Sequence, residues 1–297
     1  MTEGKRGHME ASIRDERRSG PRKRIRPGNV ILQLCLLLVA GMQLYPLIWL
    51  VFFSFKDNIE IYSGNIMGMP QTWRFENYSK AFVDADIGVY LFNSVFVTAV
   101  TIAVSMLLAA MAAYAIARMR WKLSNVVFNL FLTGMMIPLH AALLPVFLVL
   151  KNMKLLNTHL ALILPYIGFS LPLAILVFSN YMRTIPLEME ESAFIDGAGV
   201  FRTFFSIIIP LIKPVLATVA IFTYLNTWNE LMFAVTLVNK QSLKTLTVGL
   251  MAMVGAHSTE WGPIGAGLVI ATLPTILIYI FLSRQVQKSM IAGALKG

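Results

Sequence analysis

Tyr224, Asn226, Thr227, Trp228, Asn229 and Glu230 crowd into one otherwise apolar run of this 297-residue chain. Aromatic rings stack on the apolar CH faces of a sugar, while amides and a carboxylate bond its hydroxyls. Polar groups inside an apolar segment are costly unless they face protein or water. Two readings of these residues follow. Either they line a path for a hydroxyl-rich substrate, or they hydrogen-bond helix to helix beneath an interfacial aromatic belt. The residue types alone leave both open.

Other chemistry is poorly provided for. The only Gly-Lys pair, Gly4-Lys5, is followed by Arg6 in a polar tail, so no phosphate-binding loop is present. There is no nucleophile elbow, no zinc motif and no spaced carboxylate pair with a pocket, and Glu190-Glu191 read as neighbours on a solvent-facing helix. The single cysteine, Cys35, excludes an intrachain disulfide, and His8, His140, His159 and His257 show no metal-ligand spacing. No catalytic residue, metal or cofactor is expected.

Composition sets the class. Of the residues 57% are hydrophobic and 13% charged, with a mean hydropathy of +0.69, against about 25% charged in a soluble domain. This is a polytopic membrane protein. Its net charge of +10 does not indicate nucleic acid, because nine of the 25 Lys and Arg precede residue 27, beside the first apolar run, with no interleaved aromatics. That tail reads as topogenic and in contact with anionic membrane lipid.

Stepping through the apolar runs gives an all-α protein with six transmembrane helices, at 29–55, 87–117, 125–150, 159–182, 211–235 and 263–282. The third is expected to break at Pro138 and Pro145. The first is too long for a signal-peptide core and reads as an uncleaved anchor. Residues 1–28 form a basic tail and 29–297 the membrane domain, with a core at about 88–283. Six crossings put both termini on one side. That face holds nine, three, three and three of the Lys and Arg, leaving seven opposite, so it is cytoplasmic by charge bias.

One segment between spans, 187–210, is neither a turn nor an apolar run. Thr184 and Pro186 suit a helix start, and Glu188, Glu190 and Glu191 suit the positive end of its dipole. Asp196-Gly197 reads as a turn. A second helix then places Val200, Phe204 and Ile208 on one face, and Pro210 ends it.

Glu191-Ser192-Ala193, three residues, Gly197, nine residues and Ile207-Ile208-Ile209-Pro210 resemble the "EAA loop" of binding-protein-dependent ABC importers, departing from it at Ser192 and Ile209. Thr227-Trp228-Asn229-Glu230-Leu231, Leu246-Thr247-Val248-Gly249-Leu250 and Gly293-Ala294-Leu295-Lys296-Gly297 resemble signatures of the carbohydrate branch. The resemblance implies a permease subunit of the ABC type I importer kind, like the smaller membrane subunit of maltose-type systems. It further implies a second permease subunit, two ATPase subunits and an extracytoplasmic sugar-binding protein, in a bacterial-type cell membrane. The 183–210 loop would dock on the ATPase through Glu191, Ser192, Ala193, Gly197 and Pro210: Glu191 in polar contact, Ala193 allowing close approach, Gly197 as the elbow. The loop after span five, with Lys240, Lys244 and Glu260, is expected to meet the binding protein or to be an inert connector. The alternative to an importer is a secondary transporter or channel, for which Glu230 is the one intramembrane acid.

Overall fold

The computed structural model describes residues 27–255 and 259–294. The basic tail, His257 and Leu295-Lys296-Gly297 lie outside them. Every regular element among the described residues is helical.

Helix α1 (Pro27–Ser54) is apolar along its length. The chain divides after Trp49 into two units, and the second holds everything from Leu50 onward. Between α1 and the next long helix lie α2 (Asn58–Tyr62) and α3 (Glu76–Ser79), the latter running on as a wider π turn to Asp84. The 32-residue α4 (Ile87–Arg118) follows. Then come α5 (Ser124–Gly134), α6 (Leu143–Asn152) and α7 (Leu160–Met182).

The segment of interest begins with α8 (Glu188–Ile195). It continues through α9 (Val200–Thr203), a π turn (Phe204–Ile208) and a short α10 (Ile209–Leu211). The chain bends by 76° before α11 (Lys213–Trp228). Then come α12 (Met232–Leu237), α13 (Leu246–Ala252) and α14 (Trp261–Ala294).

Among the described residues, four helices are long and apolar enough to cross a membrane: Ile31–Ser54, Ile87–Arg118, Leu160–Met182 and Trp261–Phe281. The bent pair is a fifth if counted as one. The expected third span is not a single helix. It breaks between α5 and α6 around Pro138, which lacks an N–H and disfavours helix at the residue before it. Pro145 breaks nothing, because it falls in the first turn of α6, where a missing N–H is harmless. The chain nevertheless travels the length of the bundle here. Ser124 Oγ donates to the Ile116 carbonyl at one end, and Leu150 packs with Leu162 and Leu237 at the other.

The bend replaces the expected stop at Pro210. Pro214 is the second residue of α11 and has no N–H for the carbonyl one turn back, so the helical ladder parts at Ile212. Span five is correspondingly shorter than expected, ending at Trp228. The loop after it contains α13 and is pinned to α4: Asn93 Nδ2 donates to the Ser242 and Lys244 carbonyls, and Ser94 Oγ accepts from Leu246 N. Gly249 lies so close to Tyr90 that a Cβ there would overlap the ring.

Helices α4 and α7 form the spine and run parallel. His159 and Asn93 share a hydrogen bond at one end, and Arg118 reaches the Met182 carbonyl at the other. Their contact is lined by Ala109, Ala110, Ala113 and Ala174, all fully buried. Small residues let helix backbones approach, which substitutes for the hydrophobic drive that lipid does not supply. Phe178, Met182, Ile208 and Ile212 fill the space beneath, joining α7 to the bent segment.

Candidate functional site

Helix α8 starts at Glu188, two residues beyond Pro186. Thr184 does not cap it, since its hydroxyl donates to the Tyr181 carbonyl instead. Its other end closes in a Schellman arrangement. Ala198 N donates to Ala193 O at 2.9 Å and Gly197 N to Phe194 O at 3.0 Å. Gly197 has φ +79°, which L side chains adopt only with strain. The segment therefore turns sharply at Gly197, and Val200 to Leu211 leaves in a new direction.

Glu191, Ser192, Gly197 and Pro210 are exposed, and Ala193 is buried. Phe204 and Ile208 point inward, whereas Val200 is exposed. Around the elbow Phe194, Ile195, Val200 and Phe201 stand in the open, Ile195 at 86% and Phe201 at 70% exposure. These large apolar side chains around a carboxylate make an exposed apolar patch, of the kind that marks an interaction site.

Glu190 corrects the expectation of a solvent-facing pair. It is buried: Oε1 accepts from Arg118 Nε at 2.5 Å and Oε2 from the Tyr114 hydroxyl at 3.0 Å. The two charged side chains are 4% and 7% exposed. Arg118 and Tyr114 are missed by motif reading. Their signal is an aromatic and a cation one helical turn apart at the end of an apolar span.

At mid-bundle a pocket of about 270 Å³ opens between α5, α7 and α11. Tyr166, Ser170, Thr223, Asn226, Thr227 and Glu230 line it, with Phe169 and Leu173 as apolar wall. Three of the six residues of that polar run, Asn226, Thr227 and Glu230, reach this pocket. The Asn226 side chain is exposed and makes no hydrogen bond among the described residues. Glu230 is fully engaged: it accepts the Tyr166 hydroxyl at 2.6 Å and the N–H groups of Phe233 and Ala234 at 2.8 and 3.1 Å. Those amides belong to the first turn of α12, where a carboxylate satisfies unbonded donors.

The other three lie elsewhere. Tyr224 and Trp228 stack on each other at 5.4 Å between ring centroids. They bond α14, Tyr224 through Thr275 and Trp228 through the Ala271 carbonyl. Asn229 is exposed and donates back to Leu225 O. Tyr166 and Ser170 are missed by motif reading; two polar residues four apart in an apolar span are their signal. Among the described residues, no three His, Cys, Asp or Glu lie together as a metal site requires.

These features fall in a region shared with known proteins. The family described as "Binding-protein-dependent transport system inner membrane component" matches residues 105–292, more than half of the chain. The diacetylchitobiose uptake system permease protein NgcG of Streptomyces coelicolor is 35% identical over 263 residues, covering 88% of this chain and 87% of the relative. The trehalose transport system permease protein SugB of Mycobacterium tuberculosis is 33% identical over 262 residues, covering 88% and 95%. In fold, the chain resembles one from the crystal structure of a bacterial ABC transporter that imports the acidic polysaccharide alginate. That likeness has a TM-score of 0.76 at 23% identity and covers 89% of this chain and 98% of that one. From its helices and these matches, the chain is a multi-pass membrane protein that belongs to the family of binding-protein-dependent transport system inner membrane components.

Proposed function

We infer that this chain is a permease subunit of an ATP-driven importer for a sugar or oligosaccharide, with ATP hydrolysed on a separate subunit. One observation carries the reading: the exposed elbow at Gly197, flanked by Glu191 and the apolar side chains Phe194, Ile195, Val200 and Phe201, at the end of the bundle where Arg118 and Met182 lie. It is a knob shaped for a partner. The excess of Lys and Arg on the same face supports its lying in the cytoplasm with both termini, where an ATPase is within reach. Glu191, Ser192, Ala193, Gly197 and Pro210 are the coupling residues in this account.

The partners are a second permease, two ATPase subunits and an extracytoplasmic binding protein. ATP binding closes the ATPase dimer and displaces the docked helix, and the spans rock between inward-open and outward-open arrangements. The sugar assignment is supported by relatives named for diacetylchitobiose and trehalose transport. The pocket agrees with it, having an open amide, hydroxyls and an aromatic ring. Asn226 and Glu230 lie along the path, while Tyr224, Trp228 and Asn229 act from behind it.

A secondary transporter or channel would use Glu230 as its coupling acid. Both carboxylate oxygens are already taken by Tyr166 and two backbone amides, which speaks against it. The test is a mild-detergent pull-down of the tagged chain from its host's membranes. Recovery with an ATPase and a second multi-span subunit is expected. A folded chain recovered alone contradicts the importer reading.

A further inference from the structure

The junction above α8 is organised by one side chain. Arg118, the last residue of α4, bonds Glu190 on α8 through Nε. Its Nη1 donates to the Met182 and Ile185 carbonyls at 3.2 and 2.9 Å, and its Nη2 to the Pro186 carbonyl at 3.3 Å. Those carbonyls belong to the end of α7 and the turn after it, where a helix leaves acceptors without donors. Tyr114, one turn earlier on α4, bonds the second Glu190 oxygen, and its ring packs on Phe204 at 5.4 Å between centroids. Thus α4 is tied to the end of α7, to α8 and to the segment beyond the elbow.

The covalent routes out of α8 are poorer transmitters. One passes through the turn 183–187, the other through the elbow and the 76° bend. Apolar contacts resist approach but separate easily. A buried, fork-shaped guanidinium bonded to four acceptors resists displacement both ways, which a lysine point charge does not.

We propose that Arg118, with Glu190 and Tyr114, is the positioning centre that carries movement of α8 into α4 and α7, so that the three move as one body. This rests on the importer reading. An ATPase docked on α8 then acts on the spine of the bundle directly.

The experiment uses the intact complex, with Cys35→Ser and spin labels at Glu188→Cys on α8 and Met119→Cys after α4. The distance distribution between the labels is measured without nucleotide and with ATP plus vanadate. In the otherwise unchanged complex, the distribution stays the same in both states. In Arg118→Met/Glu190→Met it shifts and broadens with ATP, while ATP hydrolysis remains within twofold. This double change removes both buried charges together, which proteins tolerate far better than an unpaired one. Tyr114→Phe keeps the ring and removes one bond, and is expected to broaden the distribution less. It decides the matter if the double variant does not assemble.

A distance that shifts with ATP in the unaltered complex overturns the proposal. So does one that stays fixed in the double variant, or in Tyr114→Phe where that variant decides. A complex without any ATPase overturns the importer reading and this proposal with it. Normal nucleotide response with unaffected variants overturns this proposal alone.

Discussion

The Tyr166 hydroxyl and the Glu230 carboxylate meet at 2.6 Å, joining α7 to the start of α12 across the floor of the pocket. Their bond engages the acid within the fold and leaves the proposed recognition of substrate to neighbours with unused hydrogen-bonding capacity. Asn226→Ala should therefore raise the half-saturation of uptake about 2- to 13-fold, the worth of one hydrogen bond of about 0.5–1.5 kcal/mol. Asn229→Ala, outside the pocket, should stay within twofold. Uptake of labelled sugar by cells expressing each variant decides it; equal effects would remove the pocket from the path.

Adjacent glutamates on α8 should behave oppositely. Glu190→Ala strands Arg118 as a buried, unpaired charge, at a cost of about 3–5 kcal/mol. Glu191→Ala changes an exposed residue, and its effect on stability should remain within about 0.5 kcal/mol. Thermal unfolding of the purified complex separates them. Transport should fall in both, for different reasons: the first variant loses the fold of the junction, the second the proposed contact to the ATPase.

How far the sequence alone reaches is clear from these two residues. Spacing reaches α8, the elbow and the apolar spans, because periodicity, glycine at a positive φ and length are local properties. It does not reach the burial of Glu190. That depends on Arg118 arriving from a residue 72 positions away in the chain, and no local pattern encodes such a meeting. The same holds for Tyr224 and Trp228, which look like a sugar platform in one dimension and turn out to bond α14. Pro138 and Pro145 look alike as breakers, yet only the first sits where a helix needs the missing donor.

Gly197→Ala should cost about 1–2 kcal/mol locally, the penalty for a side chain in left-handed backbone. Among the described residues other than its two chain neighbours, no atom lies within 4 Å of the added Cβ, so the cost is confined to the backbone. Gly197→Leu adds bulk at the proposed docking face and should abolish uptake while the complex still assembles. Normal uptake in Gly197→Leu would count heavily against a coupling role.

Asp57 offers a pH test at the opposite end of the bundle. Its carboxyl is held below the ordinary 3.8 chiefly by the Glu60 N–H, then by Arg74. A folded-state value below the unfolded one means stability present above about pH 4 and lost as pH falls through the lowered value. The protection factor of the Glu60 amide, its exchange rate relative to the unstructured rate at the same pH, should fall over that acidic range. In Asp57→Asn, which keeps the cap without the charge, that pH dependence should vanish; its persistence would assign it to another group.

Under the proposed function, ATP hydrolysed elsewhere in the complex drives a sugar through this chain. The most direct measurement is uptake of labelled sugar into proteoliposomes holding the purified complex, with binding protein outside and ATP inside. Accumulation that needs both, and that Gly197→Leu abolishes, is expected. Accumulation driven by a proton or sodium gradient without ATP would contradict it.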